Sequence, residues 1–266
     1  MIFESHAHYD DARFDEDRKA LLESLKTAGI SHVVNVGANM QSSNTTLELA
    51  KKYPFIYAAL GIHPEDSEEV TTANLEKLRM LCRENHISQG GKVVAVGEIG
   101  LDYYWDEPNR KIQKRGFEKQ LELAKEVKLP VIIHSREAAQ DTVEIMQACG
   151  ADQTGGVVHC YSYSGEMAKV FLNMGFYIGL GGVVTFSNAR KIKEAVAYIP
   201  IERILVETDS PYLAPMPNRG KRNSSLNLPY IIEEIAAIKG MSSKEVEDIT
   251  AANAKQLFGK GDIWQL

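Results

Sequence analysis

Histidines and acidic residues in this chain stand where short apolar runs end. In chain order these residues are His6 and His8, Glu98, His134, His159, and Glu207 with Asp209. A buried carboxylate is costly unless it is paired or binds a metal ion. Neutral imidazole and carboxylate together form a ligand set suited to Zn, Mn, Fe or Ni. If the ends of these runs meet in space, the pattern predicts a divalent metal site.

The spacing of these residues adds detail to that site. Side chains two residues apart on an extended chain share one face, so His6 and His8 can bind a single ion. Glu98 is expected to bridge, because its two oxygens can each bind one ion of a pair about 3.5–4 Å apart. Taken alone, a His-x-His pair is more often one core and one surface histidine, and Glu98 alone would fit a salt bridge equally well. Five of the seven histidines lie near predicted strand ends, which favours the metal site.

The other residues of the cluster can be given separate roles. His134 and His159 are expected to complete the shell of the second ion. Asp209 is assigned to the first ion and to orienting the attacking water, so Asp209 and Glu98 form the predicted catalytic pair. Glu207, one layer deeper, is expected to hydrogen-bond a ligand imidazole.

The elements that must position these residues alternate regularly along the chain. Short apolar runs are followed by longer segments of helical period, a pattern typical of βαβ units and a parallel sheet. The predicted strands are 2–6, 32–37, 55–60, 93–98, 130–134, 156–160, 176–181 and 204–209. The predicted helices are 14–28, 42–52, 74–85, 110–127, 137–148, 165–174, 188–198 and 228–239, with a ninth at 244–258 that follows a capping box of Ser242 and Glu245.

Eight parallel strands form either an open doubly wound sheet or a barrel. Ligand-type residues end six of the predicted strands, and only closure of the sheet brings six ends to one mouth. We therefore predict an α/β fold, a (β/α)8 TIM barrel with an additional C-terminal helix, as a single domain over residues 1–266.

Composition restricts the class of protein. Hydrophobic residues make up 44% and charged residues 25% of the 266 positions, as in an ordinary globular protein. The net charge of −6 argues against a broad basic surface that holds nucleic acid by charge alone. Three widely spaced cysteines indicate no disulfide framework, and no signal-peptide pattern or long apolar run is seen. We expect a cytoplasmic protein with no membrane partner, and a monomer is favoured.

These motifs together resemble the TatD family of metal-dependent hydrolases, a TIM-barrel branch of the amidohydrolase group, along nearly the whole chain. The segments that carry the resemblance are Ser5-His6-Ala7-His8, Gly61-Ile62-His63-Pro64, Val96-Gly97-Glu98-Ile99-Gly100-Leu101-Asp102-Tyr103, Ile133-His134-Ser135-Arg136, His159-Cys160, Glu207-Thr208-Asp209-Ser210-Pro211 and Arg219-Gly220-Lys221-Arg222-Asn223. The resemblance implies a two-metal site of His6, His8, Glu98, His134, His159 and Asp209. It also implies a DNase activity, often a 3′ to 5′ exonuclease.

The sequence departs from the family pattern at three places. Glu4 stands where the family usually has Asp, and Ser210 where Cys is frequent. Ser224-Ser225 replaces the Glu-Pro that commonly follows the Arg-Gly-Lys-Arg-Asn run. None of these changes removes a predicted ligand, but the last bears on how the loop after strand 8 is held.

Residues for a substrate are predicted on the same rim. Arg219, Lys221 and Arg222 lie in the loop after strand 8 and are assigned to phosphates, although a solvated surface run is an equal alternative. His63 is assigned to a substrate phosphate, and a structural role is as well supported. Tyr103, followed by another tyrosine and a tryptophan, is assigned to base stacking, although such aromatics more often pack a loop.

The predicted reaction is hydrolysis of DNA phosphodiester bonds by water that two divalent ions (Zn, Mg or Mn) activate, with 3′ to 5′ exonuclease polarity. The same ions would also suit a small ester, a lactone, an amide or a phosphotriester, and the fold alone does not exclude these substrates. A third alternative is a metal-bound nucleic-acid binding protein without turnover. The basic loop and rim aromatics favour a polyanionic substrate.

Overall fold

The computed structural model describes residues 1–105, 107–259 and Trp264. The strands are β1 (Ile2–Ala7), β2 (Ile30–Val36), β3 (Ile56–Leu60), β4 (Val93–Asp102), β5 (Val131–Arg136), β6 (Gly156–Val158), β7 (Tyr177–Leu180) and β8 (Ile204–Val206). The helices are α1 (Arg18–Thr27), α2 (Met40–Lys52), α3 (Thr72–Glu84), α4 (Arg110–Val127), α5 (Ala139–Ala148), α6 (Gly165–Asn173), α7 (Arg190–Tyr198), α8 (Leu228–Lys239) and α9 (Ser243–Phe258).

All the strands lie parallel in one sheet, in the order β1 to β8. A bridge between Ala7 and Ser210 joins the two edges, and the backbone N–H groups of His8 and Asp209 donate to Ser210 O and His6 O across the same seam. The helices cover the outside of the sheet, and α9 packs against β1 and β8. This is the predicted (β/α)8 barrel with an additional C-terminal helix, so that prediction is confirmed.

Local sequence explains where the elements begin and end. The strands are buried on both faces, which is why they read as continuous apolar runs. The predicted capping box at the start of α9 is present: Ser242 Oγ accepts from the Glu245 N–H, and the Glu245 carboxylate accepts from the Ser242 N–H. In the part of the chain that the structure describes, no helix is both long and apolar enough to cross a membrane.

The ends of β4, β6 and β8 differ from the prediction in ways that bear on the strand tips. β6 and β8 end earlier, because the backbone turns into the left-handed region at Cys160 (φ 45°) and Asp209 (φ 54°). β4 is longer and continues to Asp102, paired with Arg136 of β5. Only glycine fits at Gly100 in this extension, since its φ is +145° and a Cβ would lie 1.9 Å from His134 O.

The barrel end opposite the strand tips is closed by aromatic side chains around His32. The His32 ring stacks on Phe3 with centroids 5.2 Å apart and meets Trp264 edge-on at 5.3 Å. Its Nδ1 donates to Ser31 Oγ, and its buried Nε2 has no hydrogen-bond partner among the described residues. Burial lowers the pKa of His32 from 6.5 to about 4, with Lys255 adding to the effect.

This environment predicts acid sensitivity that can be traced to one side chain. The unfolded chain takes up a proton on His32 as pH falls through 6.5, whereas the folded chain does so only near pH 4. The free energy of unfolding should therefore fall by about 3 kcal/mol between pH 6.5 and pH 4, as expected for one group with a pKa shift of this size. Urea unfolding at pH 7 and pH 4 measures the loss, and His32→Phe should show a loss smaller by about that amount. Equal losses in both proteins would contradict the prediction.

Candidate metal centre

The carboxyl ends of the strands bring the six predicted ligand residues together at one mouth of the barrel. The residues are His6 in β1 and His8 directly after it, Glu98 in β4, His134 in β5, His159 after β6, and Asp209 after β8. One nitrogen or oxygen atom from each of His6, His8 and Asp209 lies within 4.8 Å of the others, and the same is true of His6, Glu98 and His159. Parallel strands of a closed sheet deliver distant sequence positions to one place in this way.

Glu98 divides the cluster into two halves. Its Oε1 lies 2.7 Å from His134 Nδ1 and 2.6 Å from His159 Nε2. Its Oε2 lies 3.4 Å from His6 Nε2 and 3.7 Å from His8 Nε2. Asp209 Oδ1 joins the second half, at 3.6 Å from His6 Nε2 and 3.4 Å from His8 Nε2. One carboxylate thus has a separate group of side chains around each of its two oxygens.

Hydrogen bonds on the outer side of the rings direct lone pairs toward Glu98. His8 Nδ1 donates to the backbone Val36 O at 2.8 Å, so neutral His8 presents the Nε2 lone pair to two carboxylates. His134 Nε2 is 2.9 Å from Asp102 Oδ2, and the lone pair of neutral His134 is then on Nδ1. Two acceptors that face each other need a proton or a cation between them. These nitrogen and oxygen atoms therefore fit divalent ions as ligands.

The buried charges of the cluster shift one another's pKa values. Burial alone would raise the pKa of Glu98, but the facing His159, His63 and His134 imidazoles outweigh it and hold the pKa well below its usual value. Burial likewise would lower the pKa of His8, whereas the Asp209 and Glu98 carboxylates raise it to about 9. Glu98 is therefore an anion at neutral pH, as a bridging ligand must be.

Glu207, which was predicted to hydrogen-bond a ligand imidazole, lies beside His159 at a distance longer than a hydrogen bond. It is fully buried, and its Oε1 is 3.6 Å from His159 Nδ1. The same oxygen accepts the backbone N–H of Cys160. Glu207 and Asp209 are two residues apart, but they do not reach the site as alternating side chains of one strand. The strand β8 ends at Val206, and the backbone enters the left-handed region at Asp209.

The three departures from the family pattern meet in one buried network below the site. Glu4 Oε2 accepts hydrogen bonds from Thr208 Oγ1 (2.7 Å) and Ser225 Oγ (2.9 Å), and Thr208 Oγ1 also bonds Ser210 Oγ (2.6 Å). Glu4 Oε1 accepts from the backbone N–H groups of Thr208 and His6. Glu4 therefore holds the loop after β8 against β1, and Ser225 gives that loop its attachment.

His63 reaches the site from the loop after β3. Its Nε2 lies 3.6 Å from Glu98 Oε1, and its ring packs against His134 with centroids 4.4 Å apart. Its Nδ1 accepts the backbone N–H of Glu65 at 3.2 Å, so neutral His63 carries its proton on Nε2. Burial, together with the charge of His134, lowers the pKa of His63 to about 3. His63 thus offers an N–H group to the mouth.

The other predicted substrate residues lie outside the cluster. Arg222 forms a forked ion pair with Asp17, in which Nη1 lies 2.8 Å from Oδ1 and Nη2 lies 2.5 Å from Oδ2. Arg219 is exposed and lies over the Phe186 ring at 4.3 Å, and Lys221 is exposed. The Tyr103 hydroxyl donates to Asp141 at 2.5 Å, which turns the ring toward α5.

Sequence reasoning missed several residues at the mouth. Asp102 contacts His134 and was missed because the predicted β4 ends at Glu98. The spacing of four residues between Glu98 and Asp102 is the signal that could have found it, because it places both side chains on the same face of a longer strand. Arg136 lies over the half-exposed Tyr104 ring at 3.8 Å, on the side of His134. On the opposite side, Tyr212 meets His8 edge-on at 6.4 Å, below the Arg13 guanidinium.

Comparisons with known proteins agree over nearly the full chain. The family model for TatD related DNase matches residues 3–259. The chain is 43% identical to the uncharacterized metal-dependent hydrolase YabD of Bacillus subtilis, over 97% of this chain and 99% of that protein. It is 30% identical to a Salmonella typhimurium protein named 3′-5′ ssDNA/RNA exonuclease TatD, over 97% and 98%.

The fold comparison gives the same result. The crystal structure of YjjV, a TatD homologue from Escherichia coli, superposes with a TM-score of 0.89 at 31% identity and 97% coverage of both chains. A TatD-family hydrolase from Entamoeba histolytica superposes with a TM-score of 0.86 at 25% identity, over 97% of each chain. The chain belongs to the TatD family of metal-dependent hydrolases.

Proposed function

We propose that this hydrolase cuts phosphodiester bonds in DNA, as a 3′ to 5′ exonuclease that uses two divalent ions. The observation that carries the proposal is the arrangement around Glu98, whose two oxygens each have their own group of ligand-type side chains. Two ions about 3.5–4 Å apart can stabilise both the attacking and the leaving oxygen of an in-line displacement at phosphorus. The proposed substrate class follows from the arginine–aromatic pairs at the mouth.

The residues present would hold two ions in different ways. His6, His8, Asp209 and Glu98 Oε2 would hold the first, and His134, His159 and Glu98 Oε1 the second. With four imidazole nitrogens, this set suits Zn better than Mg, which prefers oxygen ligands. When bound, the ions would lower the pKa of water to near neutrality and neutralise charge on the phosphoryl group.

Two side chains would act on the substrate or the attacking water directly, and Glu98 would support them. Asp209, whose side chain is partly exposed to the mouth, would accept a hydrogen bond from the attacking water and orient it. His63 would donate its Nε2–H to a phosphoryl oxygen, because its Nδ1 is occupied by the Glu65 N–H. Glu98 would keep the two halves at a fixed separation.

The rim fits a single strand of nucleic acid. Tyr104 and Trp105 are each about half exposed on the His134 side, and Tyr212 is 45% exposed on the His8 side. Arg136 and Arg13 lie over two of these rings. Exposed rings stack on bases without sequence preference. The Arg136 guanidinium would pair with a phosphate, whereas Arg13 is already paired with Asp11. The name of the Salmonella relative agrees with such a substrate.

One assay tests the proposal against the small-substrate alternative. A 3′-end-labelled and a 5′-end-labelled oligonucleotide, single- and double-stranded, are incubated with Mg, Mn or Zn beside a lactone and a neutral ester. The proposed function predicts stepwise shortening from the 3′ end of the single strand. Turnover of the neutral substrates with intact oligonucleotide would overturn it, and so would full activity in metal-stripped protein.

Tyr104→Ala should lower kcat/KM for long substrates more than for short ones. Loss of one stacking contact costs about 1–3 kcal/mol, so kcat/KM for an oligonucleotide should fall about 5- to 150-fold. The fall for a mononucleotide p-nitrophenyl ester should be much smaller, since that substrate does not extend to the rim. Tyr198→Ala is the matched control, because Tyr198 is 51% exposed but lies on α7. Equal losses on both substrates would contradict base stacking.

A further inference from the structure

The Asp102 carboxylate is buried at the edge of the candidate site, and both of its oxygens are used. Asp102 is 1% exposed; its Oδ2 faces His134 Nε2 at 2.9 Å, and its Oδ1 accepts the backbone N–H of Tyr104 at 2.9 Å. A carboxylate can only accept at these distances, so His134 carries its proton on Nε2. The lone pair of neutral His134 must then be on Nδ1, the atom 2.7 Å from Glu98 Oε1.

The backbone of Asp102 is held as firmly as its side chain. The buried amide of Gln113 accepts from the Asp102 N–H at 2.9 Å and donates to the Asp102 C=O at 2.8 Å. The ladder with β5 pairs Asp102 with Arg136, two residues beyond His134. A carboxylate fixed in this way sets the angle of the His134 ring as well as its tautomer.

We propose that Asp102 is a positioning residue for the second ion, and that it acts by directing the His134 Nδ1 lone pair toward Glu98. The inference rests on the two-ion site proposed above. Through Tyr104 the same carboxylate also joins the exposed aromatic rim to the ligand shell. Outer carboxylates of this kind typically change metal affinity about 10- to 100-fold.

The alternative is that Asp102 is itself a ligand, since His63, Asp102 and His134 each offer an atom within 4.8 Å of the others. The lone pairs argue against an ion there. His134 has one lone pair when neutral, and it faces Glu98. Neutral His63 carries a proton on Nε2, because its Nδ1 accepts from Glu65. Only the Asp102 oxygens remain as acceptors, and both are already hydrogen-bonded.

Binding of Mn²⁺ alone, followed by electron paramagnetic resonance and equilibrium dialysis, tests the proposal without an activity assay. Wild type should bind two ions per chain and give a spin-coupled spectrum. Asp102→Asn, nearly identical in shape, keeps the Tyr104 bond but presents an amide N–H to His134, which favours the wrong tautomer. At limiting Mn²⁺ it should show one uncoupled ion, and the coupled spectrum should return at about 10- to 100-fold higher Mn²⁺.

Three further variants separate positioning from other roles. His134→Asn should stay uncoupled at every Mn²⁺ concentration, because a ligand is gone. Asp141→Asn, which loosens the contacts of Tyr103 and Lys114 beside the site, should bind as wild type does. Asp102→Ser is made in case Asp102→Asn does not fold. The serine side chain is too short to accept the His134 Nε2–H, so this variant should show the same weaker binding of the second ion.

Each outcome decides the proposal. Wild-type affinity in Asp102→Asn and Asp102→Ser would overturn it, as would a loss that higher Mn²⁺ never restores, or three ions in wild type and two in the variant. An equal loss in Asp141→Asn would assign the effect to the loop and overturn it too. If wild type gives the coupled pair but leaves oligonucleotides intact, the proposed nuclease function fails while the role of Asp102 stands.

Discussion

Glu98→Gln is expected to reduce phosphodiester hydrolysis by at least about 10³-fold, which corresponds to about 4 kcal/mol of transition-state stabilisation. The amide has nearly the same shape, but it offers one neutral oxygen where the carboxylate offers two charged ones. One half of the site would then face an N–H₂ group that repels a cation. The His134 and His159 nitrogens lie 2.7 and 2.6 Å from Oε1, so an N–H₂ group at that position would donate to the lone pairs that should bind the second ion.

Metal content and turnover of Glu98→Gln are measured together. The variant should retain fewer than two ions per chain and keep the circular dichroism of the barrel, since the contacts of the Glu98 carboxylate among the described residues are with histidines of the site. Glu68→Gln is the control: Glu68 is exposed in the short helical turn Pro64–Glu69 near the mouth and should leave both quantities unchanged. Turnover within tenfold of wild type in Glu98→Gln would contradict the role given to this carboxylate.

Glu4→Ala is expected to destabilise the protein by about 4 kcal/mol, because it leaves four buried donors without an acceptor and opens a cavity. The donors are the N–H groups of His6 and Thr208 and the hydroxyls of Thr208 and Ser225. The seam where β1 meets β8 includes this network, together with the bridge at Ala7, backbone bonds and the hydrogen bond from Ser5 Oγ to Val206 O.

The loss is measured by urea unfolding of metal-free protein, so that weaker ion binding does not enter the result. Glu4→Gln is the matched control, and its cost should be about 1 kcal/mol. The Gln oxygen can accept from the two N–H groups, and its N–H₂ group can donate to the two hydroxyls after they rotate. A cost for Glu4→Ala no larger than that of Glu4→Gln would show that the network does not hold the seam.

The sequence was sufficient to predict the fold because the barrel is built from repeated, local signals. Apolar runs of β-branched residues alternate with helical period, and breakers such as Gly29 and Gly150 stand in the left-handed conformation between elements. Ligand-type residues at the ends of six runs then indicated closure. None of these inferences required knowledge of which strands pair, since each strand of a barrel neighbours the next.

The parts that sequence did not reveal depend on contacts between side chains far apart in the chain. The direction of Tyr103 toward Asp141, and of Tyr104 toward Arg136, follows from the length of β4 and its pairing with β5. A strand predicted to end at Glu98 leaves both tyrosines, and Asp102, in a loop of unknown direction. The ion pair of Arg222 with Asp17 likewise joins the β8 loop to a segment near the N-terminus.

The two-ion site is tested most directly by an anomalous difference map from crystals of the Mn²⁺-loaded protein. We expect two peaks, one on either side of the Glu98 carboxylate and about 3.5–4 Å apart. One peak should lie among His6, His8 and Asp209, and the other between His134 and His159. A single peak, or two peaks that do not share Glu98, would contradict the two-ion site and the reaction proposed from it.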